Sequence, residues 1–229
     1  MKSLNNKVIL YVSILLLTVF LSLGVIVNVF SSTAMVENAS DYMMQIAAQG
    51  AHIVESRIRN QINTLEYIAG MKEIKDTEIS LDKKLELLKE ESLRSGHIVM
   101  AISDKTGKLT STRGIVTNIK DRAYFNKAID GKATVSDPIF SREDKALVIV
   151  YAVPIKSNNE VTGVLIAVRS GDDLANISDD ITLHKTGRAF VINNVGVTIA
   201  HTNKDLVYNM DNDFQNIKKD PSLTDLVAL

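Results

Sequence analysis

The sequence predicts an α+β fold in which an N-terminal transmembrane helix leads into a long helix and then into an antiparallel sheet. Three observations carry this prediction. Residues 8–30 form an apolar run of 23 residues without charge or proline. Apolar residues then recur with a helical period to about residue 70. Two runs rich in β-branched residues, 145–154 and 161–169, flank a Ser-Asn-Asn-Glu turn, as in a long hairpin.

The apolar run from Val8 to Phe30 has the length of a membrane span. At about 1.5 Å per residue, a helix of this length crosses a hydrocarbon core of roughly 30 Å. A helix also satisfies every backbone group internally, which lipid requires. One alternative is a cleaved signal peptide, since residues 31–34 are small and follow the run, and another is a buried core helix.

The charges beside the run predict its orientation. Lys2 and Lys7 precede it, whereas the first charges after it are the acidic Glu37 and Asp41. Positive charges stay on the cytoplasmic side of a membrane. We therefore expect a cell-membrane protein with residues 1–7 in the cytoplasm and residues 31–229 outside it.

Composition excludes several classes of function. The net charge of −1 gives no reason to expect a nucleic-acid partner. The chain has no cysteine, so disulfides and thiolate-bound metals are excluded. Its four histidines show no metal-ligand spacing, and we find neither a phosphate loop nor a nucleophile–base pair. We therefore expect no cofactor and no enzymatic activity.

Residues 31–70 are predicted to continue as a stalk helix that forms one wall of the folded domain. Its apolar stripe also suits a second copy of the chain, so a homodimer through this helix is expected. A second helix should start after Ser80, a good N-terminal capping residue, and end at Gly96.

After Gly96 the sequence pattern becomes typical of β-strands. Residues 97–103 and 108–112 are predicted to form a hairpin around an Asp-Lys-Thr-Gly turn. Residues 118–131 suit a short helix with Tyr124 and Phe125 facing inward. Residues 134–140 contain a proline, which favours an edge strand ahead of the central hairpin.

A second hairpin repeats the first one. When Gly196 is placed on Gly107, 89 residues apart, Asn193 falls on Asp104 and the following strands match in type. The match predicts two similar modules, over residues 71–180 and 181–229. The second module is expected to be incomplete, because we find no later counterpart of the central hairpin.

Four segments, in order behind the span and the long helix, resemble the double Cache (dCache) sensor region of bacterial methyl-accepting chemotaxis proteins. They are NIKDRAYFNKAIDGKATVSDPIFS, KALVIVYAVPIK, EVTGVLIAV and TGRAFVINNVGVTIAHTNKDLV. The resemblance implies two PAS-like modules on a long helix and the sensing of a small molecule in chemotaxis. The same sensor occurs on diguanylate cyclases and histidine kinases, and a non-signalling membrane-anchored binding protein is a further alternative.

The resemblance also implies a ligand site. Amino-acid-binding members carry an Arg-x-Trp-Tyr motif whose arginine grips the ligand carboxylate, and the matching residues here are Arg122, Tyr124 and Phe125. The aspartates that hold an ammonium are missing, with Ser141 at one position and Arg169 beside the other. An organic acid with two anionic ends, held by Arg122 and Arg169, is therefore expected. Further candidates for the rim of the site are Ser136, Asp137 and Tyr151.

Overall fold

The computed structural model describes residues 2–143, 145–174, 182–183 and 187–220. The chain divides into two compact units, Met1–Gln49 and Gly50–Leu229. Helix α1 runs from Lys2 to Gly70 and so contains both the predicted span and the predicted stalk.

The described part of the first unit is helical throughout. Its large apolar side chains are exposed on all sides of the helix, among them Phe20 and Phe30. A helix that presents apolar residues all round suits lipid rather than water. By length and composition α1 can cross a membrane, as the sequence predicted for Val8 to Phe30.

Two helices follow α1. Helix α2 spans Lys72–Lys75 and helix α3 spans Leu81–Ser95. Gly96 ends α3 in the left-handed conformation, with φ 73°, and its N–H donates to the carbonyl of Ser92. The predicted helix and its glycine stop are therefore both confirmed, although the hydroxyl of Ser80 makes no capping hydrogen bond.

A seven-stranded antiparallel sheet forms the centre of the second unit, in the order β3-β2-β1-β7-β6-β4, with β5 also paired to β6. Its long hairpin turns at Asn158 and Asn159, within the predicted Ser-Asn-Asn-Glu turn, and both residues have positive φ. The strands are β1 (Val99–Asp104), β2 (Lys108–Ser111), β3 (Val116–Asn118), β4 (Thr134–Val135), β5 (Ile139–Phe140), β6 (Leu147–Ser157) and β7 (Glu160–Ser170).

Both faces of the sheet are covered. On one face, Leu65 and Ile68 of α1 and Leu88 of α3 pack on the sheet, each at most 1% exposed. Burial of such a side chain contributes about 1.5–3 kcal/mol. On the other face, helix α4 (Ala123–Ile129) packs through Phe125 and Ala128. The chain therefore has the predicted α+β fold, with β6 buried on both faces.

The second hairpin lies further along the second unit. Strands β8 (Thr182–Leu183) and β9 (Gly187–Arg188) pair with each other, and β10 (Val191–Ile192) pairs with β11 (Thr198–Ala200). Helices α5 (Lys204–Tyr208) and α6 (Asp213–Lys219) follow. The module boundary predicted after residue 180 lies outside the described residues.

The two hairpins use the same turn. The Oδ1 of Asp104 accepts hydrogen bonds from the N–H groups two and four residues later, at 2.8 and 3.1 Å. The Oδ1 of Asn193 accepts the corresponding bonds at 3.1 and 3.0 Å. Gly107 and Gly196 complete the turns with φ 86° and 83°. The predicted hairpin repeat is confirmed by this shared geometry.

The repeat extends beyond the hairpin. The carbonyl of Gly107 accepts a hydrogen bond from the N–H of Ile119, shortly before α4. The carbonyl of Gly196 likewise accepts one from Asp213, the first residue of α6. The turn of each hairpin is thus hydrogen-bonded to a residue at or shortly before the start of the helix that follows it.

Candidate functional site

A cavity of about 240 Å³ opens between the α4 side of the sheet and the loops around it. Its floor is apolar because strands β1, β2, β6 and β7 each turn small or branched side chains toward it. Among these floor residues are Ala101, Leu109, Val150, Ile166 and Val168. The charged residues that line it are Arg113, Arg122, Arg142 and Glu143.

Arg122 enters the cavity from the position just before α4. Its backbone is extended, with φ −82° and ψ 130°, and its carbonyl accepts the first helical hydrogen bonds from Phe125 and Asn126. The side chain is half-buried, and no hydrogen bond or ion pair joins it to a described residue. A guanidinium that is partly desolvated and has no hydrogen-bond partner is well suited to bind an anion.

Tyr124 lines the cavity beside Arg122. Burial raises the pKa of its hydroxyl, while the positive charges of Arg122 and Arg142 oppose that change. The hydroxyl bonds to none of the described residues, so it is available to a ligand. Phe125 instead lies in the core, 2% exposed, and does not line the cavity.

The segment 141–143 crosses one side of the cavity and is tied down by two ion pairs. Arg142 pairs with Asp121 and donates to the carbonyl of Asn118 at 2.6 Å. The hydrogen bond from Arg142 is the main cause that lowers the pKa of Asp121. Glu143 pairs with Arg113 at 3.4 Å.

These pairs leave one guanidinium of the lining without an ion pair among the described residues. Arg113 and Arg142 each have a carboxylate partner, whereas Arg122 has none among the described residues. Arg113, Arg122 and Arg142 together outnumber the carboxylates of Glu143 and Asp121, so the charge beside the apolar floor is net positive among the described residues. Such a site is complementary to a small molecule with one anionic group and an apolar body.

Arg169 and Tyr151 lie on the opposite face of the sheet. Arg169 forms an ion pair with Asp173 and donates to the carbonyl of Ser95 at 3.1 Å. Both residues line a different cavity, of about 370 Å³, beside Arg57 of α1. The expectation that Arg122 and Arg169 grip two ends of one ligand does not fit this placement, because the sheet separates them.

Of the remaining residues that the sequence analysis proposed for the site, some line the cavity and others do not. Ser141 lines the cavity, and its hydroxyl accepts a hydrogen bond from the N–H of Glu143. Asp137 does not line it, and its carboxylate instead accepts a bond from the amide of Asn193 at 2.9 Å. The hydroxyl of Ser136 accepts from the N–H of Val150 and so holds the sheet edge.

Sequence reasoning missed three charged residues of the cavity, Arg113, Arg142 and Glu143. Two of them directly follow Ser141, at which the family pattern had placed a carboxylate, so a search two residues further along would have found Glu143. Arg113 follows β2 in a turn and carries no comparable signal. In the parts of the chain that the structure describes, no three His, Cys, Asp or Glu side chains are grouped to hold a metal ion.

Comparison with solved structures shows the same fold in bacterial chemoreceptors. The ligand-binding domain of Pseudomonas fluorescens CtaA, in complex with L-serine, has a TM-score of 0.68 at 20% identity, over 80% of each chain. That of Pseudomonas aeruginosa PctC, in complex with GABA, has a TM-score of 0.64 at 15% identity, over 78% of this chain and 82% of PctC. That of Pseudomonas aeruginosa PctB, in complex with L-Arg, scores 0.63 at 22% identity, over 77% and 75%.

Sequence comparison agrees with the structural one. No curated protein matches the chain. The sequence model of the Cache domain, in its double form, matches residues 31–226, which include both hairpins described above. The chain therefore belongs to the double Cache (dCache) family.

Proposed function

We propose that this chain is the sensor portion of a transmembrane chemoreceptor and that its cavity binds a small molecule with one carboxylate and a short apolar body. The observation that carries the proposal is Arg122, a half-buried guanidinium without a partner among the described residues, at the edge of an apolar floor. A carboxylate would pair with its planar fork through two hydrogen bonds.

Charge balance distinguishes ligand classes. A monoanion would neutralise Arg122 and leave the pairs Arg113–Glu143 and Arg142–Asp121 intact. A dianion would need a second free cation, and Arg169, which sequence had suggested, lies across the sheet. The organic acid that we propose therefore has one anionic end rather than two.

An α-amino acid is the second candidate. CtaA and PctB were solved with amino acids bound. In this chain, Glu143 lines the cavity and provides a carboxylate that could pair with an ammonium group. Glu143 pairs with Arg113 at the long distance of 3.4 Å, so an ammonium would have to compete with this pair. The proposal ranks monocarboxylates first because they require no such competition.

The experiment compares three acids that share one branched five-carbon skeleton with a dianion, succinate, which should give no shift. Thermal shifts of the full chain in detergent micelles are measured with isovalerate, 2-oxoisovalerate, L-valine and succinate, because a ligand that binds the folded state raises Tm. We expect shifts with the first two acids. Arg122→Ala should abolish them, since a charged hydrogen bond contributes about 1.5–3 kcal/mol.

Arg94→Ala is the matched control, because Arg94 is an exposed arginine of α3 that does not line the cavity. If only L-valine raises Tm, and Glu143→Gln removes this increase, the second candidate, an α-amino acid, would be favoured. Shifts that persist in Arg122→Ala would overturn the proposed site.

We further propose a cytoplasmic N-terminus and signal output to a chemotaxis pathway, with a cyclase or kinase output as the alternative. The absence of cysteine makes the orientation testable. Ser3→Cys and Asn38→Cys are labelled separately in intact cells with a membrane-impermeant maleimide. Labelling of the second variant but not of the first is expected, and the reverse pattern would contradict the orientation.

A homodimer through α1 is also part of the proposal. Met35, Tyr42 and Met43 are each about half exposed or more, although they are apolar or aromatic. Exposed apolar residues on one helix suit a second copy of that helix. Sedimentation of the chain in micelles should give a dimer mass that Tyr42→Glu lowers to a monomer, and a monomer mass for the unaltered chain would contradict it.

A further inference from the structure

The segment 137–140 lies between the cavity and the second hairpin. On one side Phe140 lines the cavity. On the other side two contacts reach later parts of the chain. The carboxylate of Asp137 accepts a hydrogen bond from the Nδ2 of Asn193 at 2.9 Å, and the ring of Phe140 lies 6.4 Å from that of Tyr208.

We infer that segment 137–140 couples the cavity to the second hairpin module, so that contacts made by Asn193 and Tyr208 regulate the affinity of the cavity for its ligand. The inference about affinity rests on the proposed function. The mechanical part, that the second hairpin holds the wall of the cavity in place, stands without a ligand.

The sheet holds this segment weakly. Strand β4, which precedes it, and strand β5, which forms its second half, have two residues each and pair with β6. Pro138 between them has no N–H to donate. Short edge segments of this kind open at low free energy, so contacts outside the sheet decide their position.

The choice of asparagine at position 193 matters for the coupling. The Oδ1 of Asn193 is used within its own turn, as is that of Asp104 in the first hairpin. An aspartate has no donor left after making these bonds, whereas asparagine still has its Nδ2 group. The residue that departs from the first hairpin at this position is therefore the one that binds Asp137.

Coupling between two sites is reciprocal. If ligand binding orders segment 137–140, then contacts that order the same segment from the other side must strengthen ligand binding. Loss of the hydrogen bond between Asn193 and Asp137 should therefore weaken ligand binding, although neither residue lines the cavity.

The test replaces Asn193 by aspartate. Asn193→Asp keeps the acceptor that the turn needs but places a carboxylate against Asp137. Asn194→Asp is the control, because it adds the same charge one residue away, in the same turn. The double variant Asn193→Asp with Asp137→Asn is the rescue, because its new amide again provides a donor.

Hydrogen exchange is measured on the full chain in micelles without ligand. We expect exchange of the peptide covering residues 136–143 to rise about fivefold in Asn193→Asp, to stay unchanged in the control and to recover in the rescue variant. Unchanged exchange over 136–143 in Asn193→Asp, or failure of the rescue, would overturn the inference.

A second arm measures the Kd of isovalerate by titration in the same variants. A Kd about fivefold higher in Asn193→Asp, restored in the rescue variant, is expected. If isovalerate fails to bind the unaltered chain, the proposed ligand class is wrong, while the exchange arm still decides the coupling. An equal Kd in all variants would overturn regulation of affinity.

Discussion

Arg122 and Arg169 lie on opposite sides of one sheet. In the β6–β7 hairpin, Val150 faces Val168 and both border the cavity that Arg122 enters. Ile149, the partner of Arg169 in the register, belongs to the core cluster on the α1 side. Because side chains alternate along a strand, Arg169 must face α1 as well.

Substitution of Arg169 should therefore affect stability and spare the ligand. Arg169→Ala removes the ion pair with Asp173 and the hydrogen bond to the carbonyl of Ser95. We expect a loss of about 2 kcal/mol in the free energy of unfolding, because charged hydrogen bonds are involved. Urea denaturation measures this loss. Ligand affinity should stay within about twofold of the original, and a large loss of binding would contradict the placement of Arg169.

Two tyrosine hydroxyls provide a matched pair. Neither Tyr124 nor Tyr151 bonds through its hydroxyl to a described residue, but only Tyr124 lines the cavity of Arg122. Tyr124→Phe should weaken ligand binding by about three- to tenfold, the effect of one lost hydrogen bond. Tyr151→Phe should leave Kd unchanged. Titration calorimetry checks both, and equal effects of the two variants would refute the assignment.

His97 should make the protein less stable in mild acid. Its Nε2 is buried without a partner among the described residues, while its Nδ1 lies 2.7 Å from the hydroxyl of Ser95. Burial, helped by the charge of Arg169, lowers the pKa of His97 to about 4. Between pH 6.5 and 4 the unfolded state therefore binds a proton that the folded state does not, so acidification favours unfolding.

The loss expected from His97 over this pH range is about 2 kcal/mol. Thermal melts from pH 7.5 to 4 measure it, with His97→Asn as the reference, because asparagine does not titrate. The difference in stability between the two proteins should shrink or reverse as the pH falls through 6.5. A constant difference over the whole range would show that His97 does not titrate in this way.

Gly107 and Gly114 separate backbone strain from close packing. Both have positive φ, 86° and 78°. A Cβ at Gly107 would lie 2.8 Å from the backbone nitrogen of Lys120, whereas nothing lies within 4 Å of one at Gly114. Gly114→Ala should cost about 1 kcal/mol and Gly107→Ala about 3 kcal/mol or more. Chemical denaturation compares them, and equal losses would show that the contact with Lys120 relaxes freely.

Sequence predicted the elements that depend on local chemistry. The left-handed stop at Gly96, the positive-φ turn at Asn158 and Asn159, and the side-chain-capped turns at Asp104 and Asn193 all follow from residues whose conformational preferences act within a few positions. The long hairpin was likewise clear, because two β-branched runs flank its turn.

The composition of the cavity was harder to predict because it depends on which face of the sheet each strand residue takes. Strand β6 is buried on both faces, so its sequence lacks the polar–apolar alternation that would have set Tyr151 apart from Val150. Arg113 and Glu143 come from loops, where no periodicity applies, and meet only after β2 and β6 have joined one sheet, in which β1 and β7 lie between them.

The turn at Asn158 and Asn159 also bears on the order in which the sheet forms. Strands β6 and β7 close across it, with Ser157 paired to Glu160, and such hairpins form in about 1–10 μs. Strand β1 must instead return across some sixty residues to reach β7, where Asp104 pairs with Gly163. Loop closure over that distance is entropically costlier. We therefore expect the sheet to grow outward from its most buried strand, with the cavity walls added last.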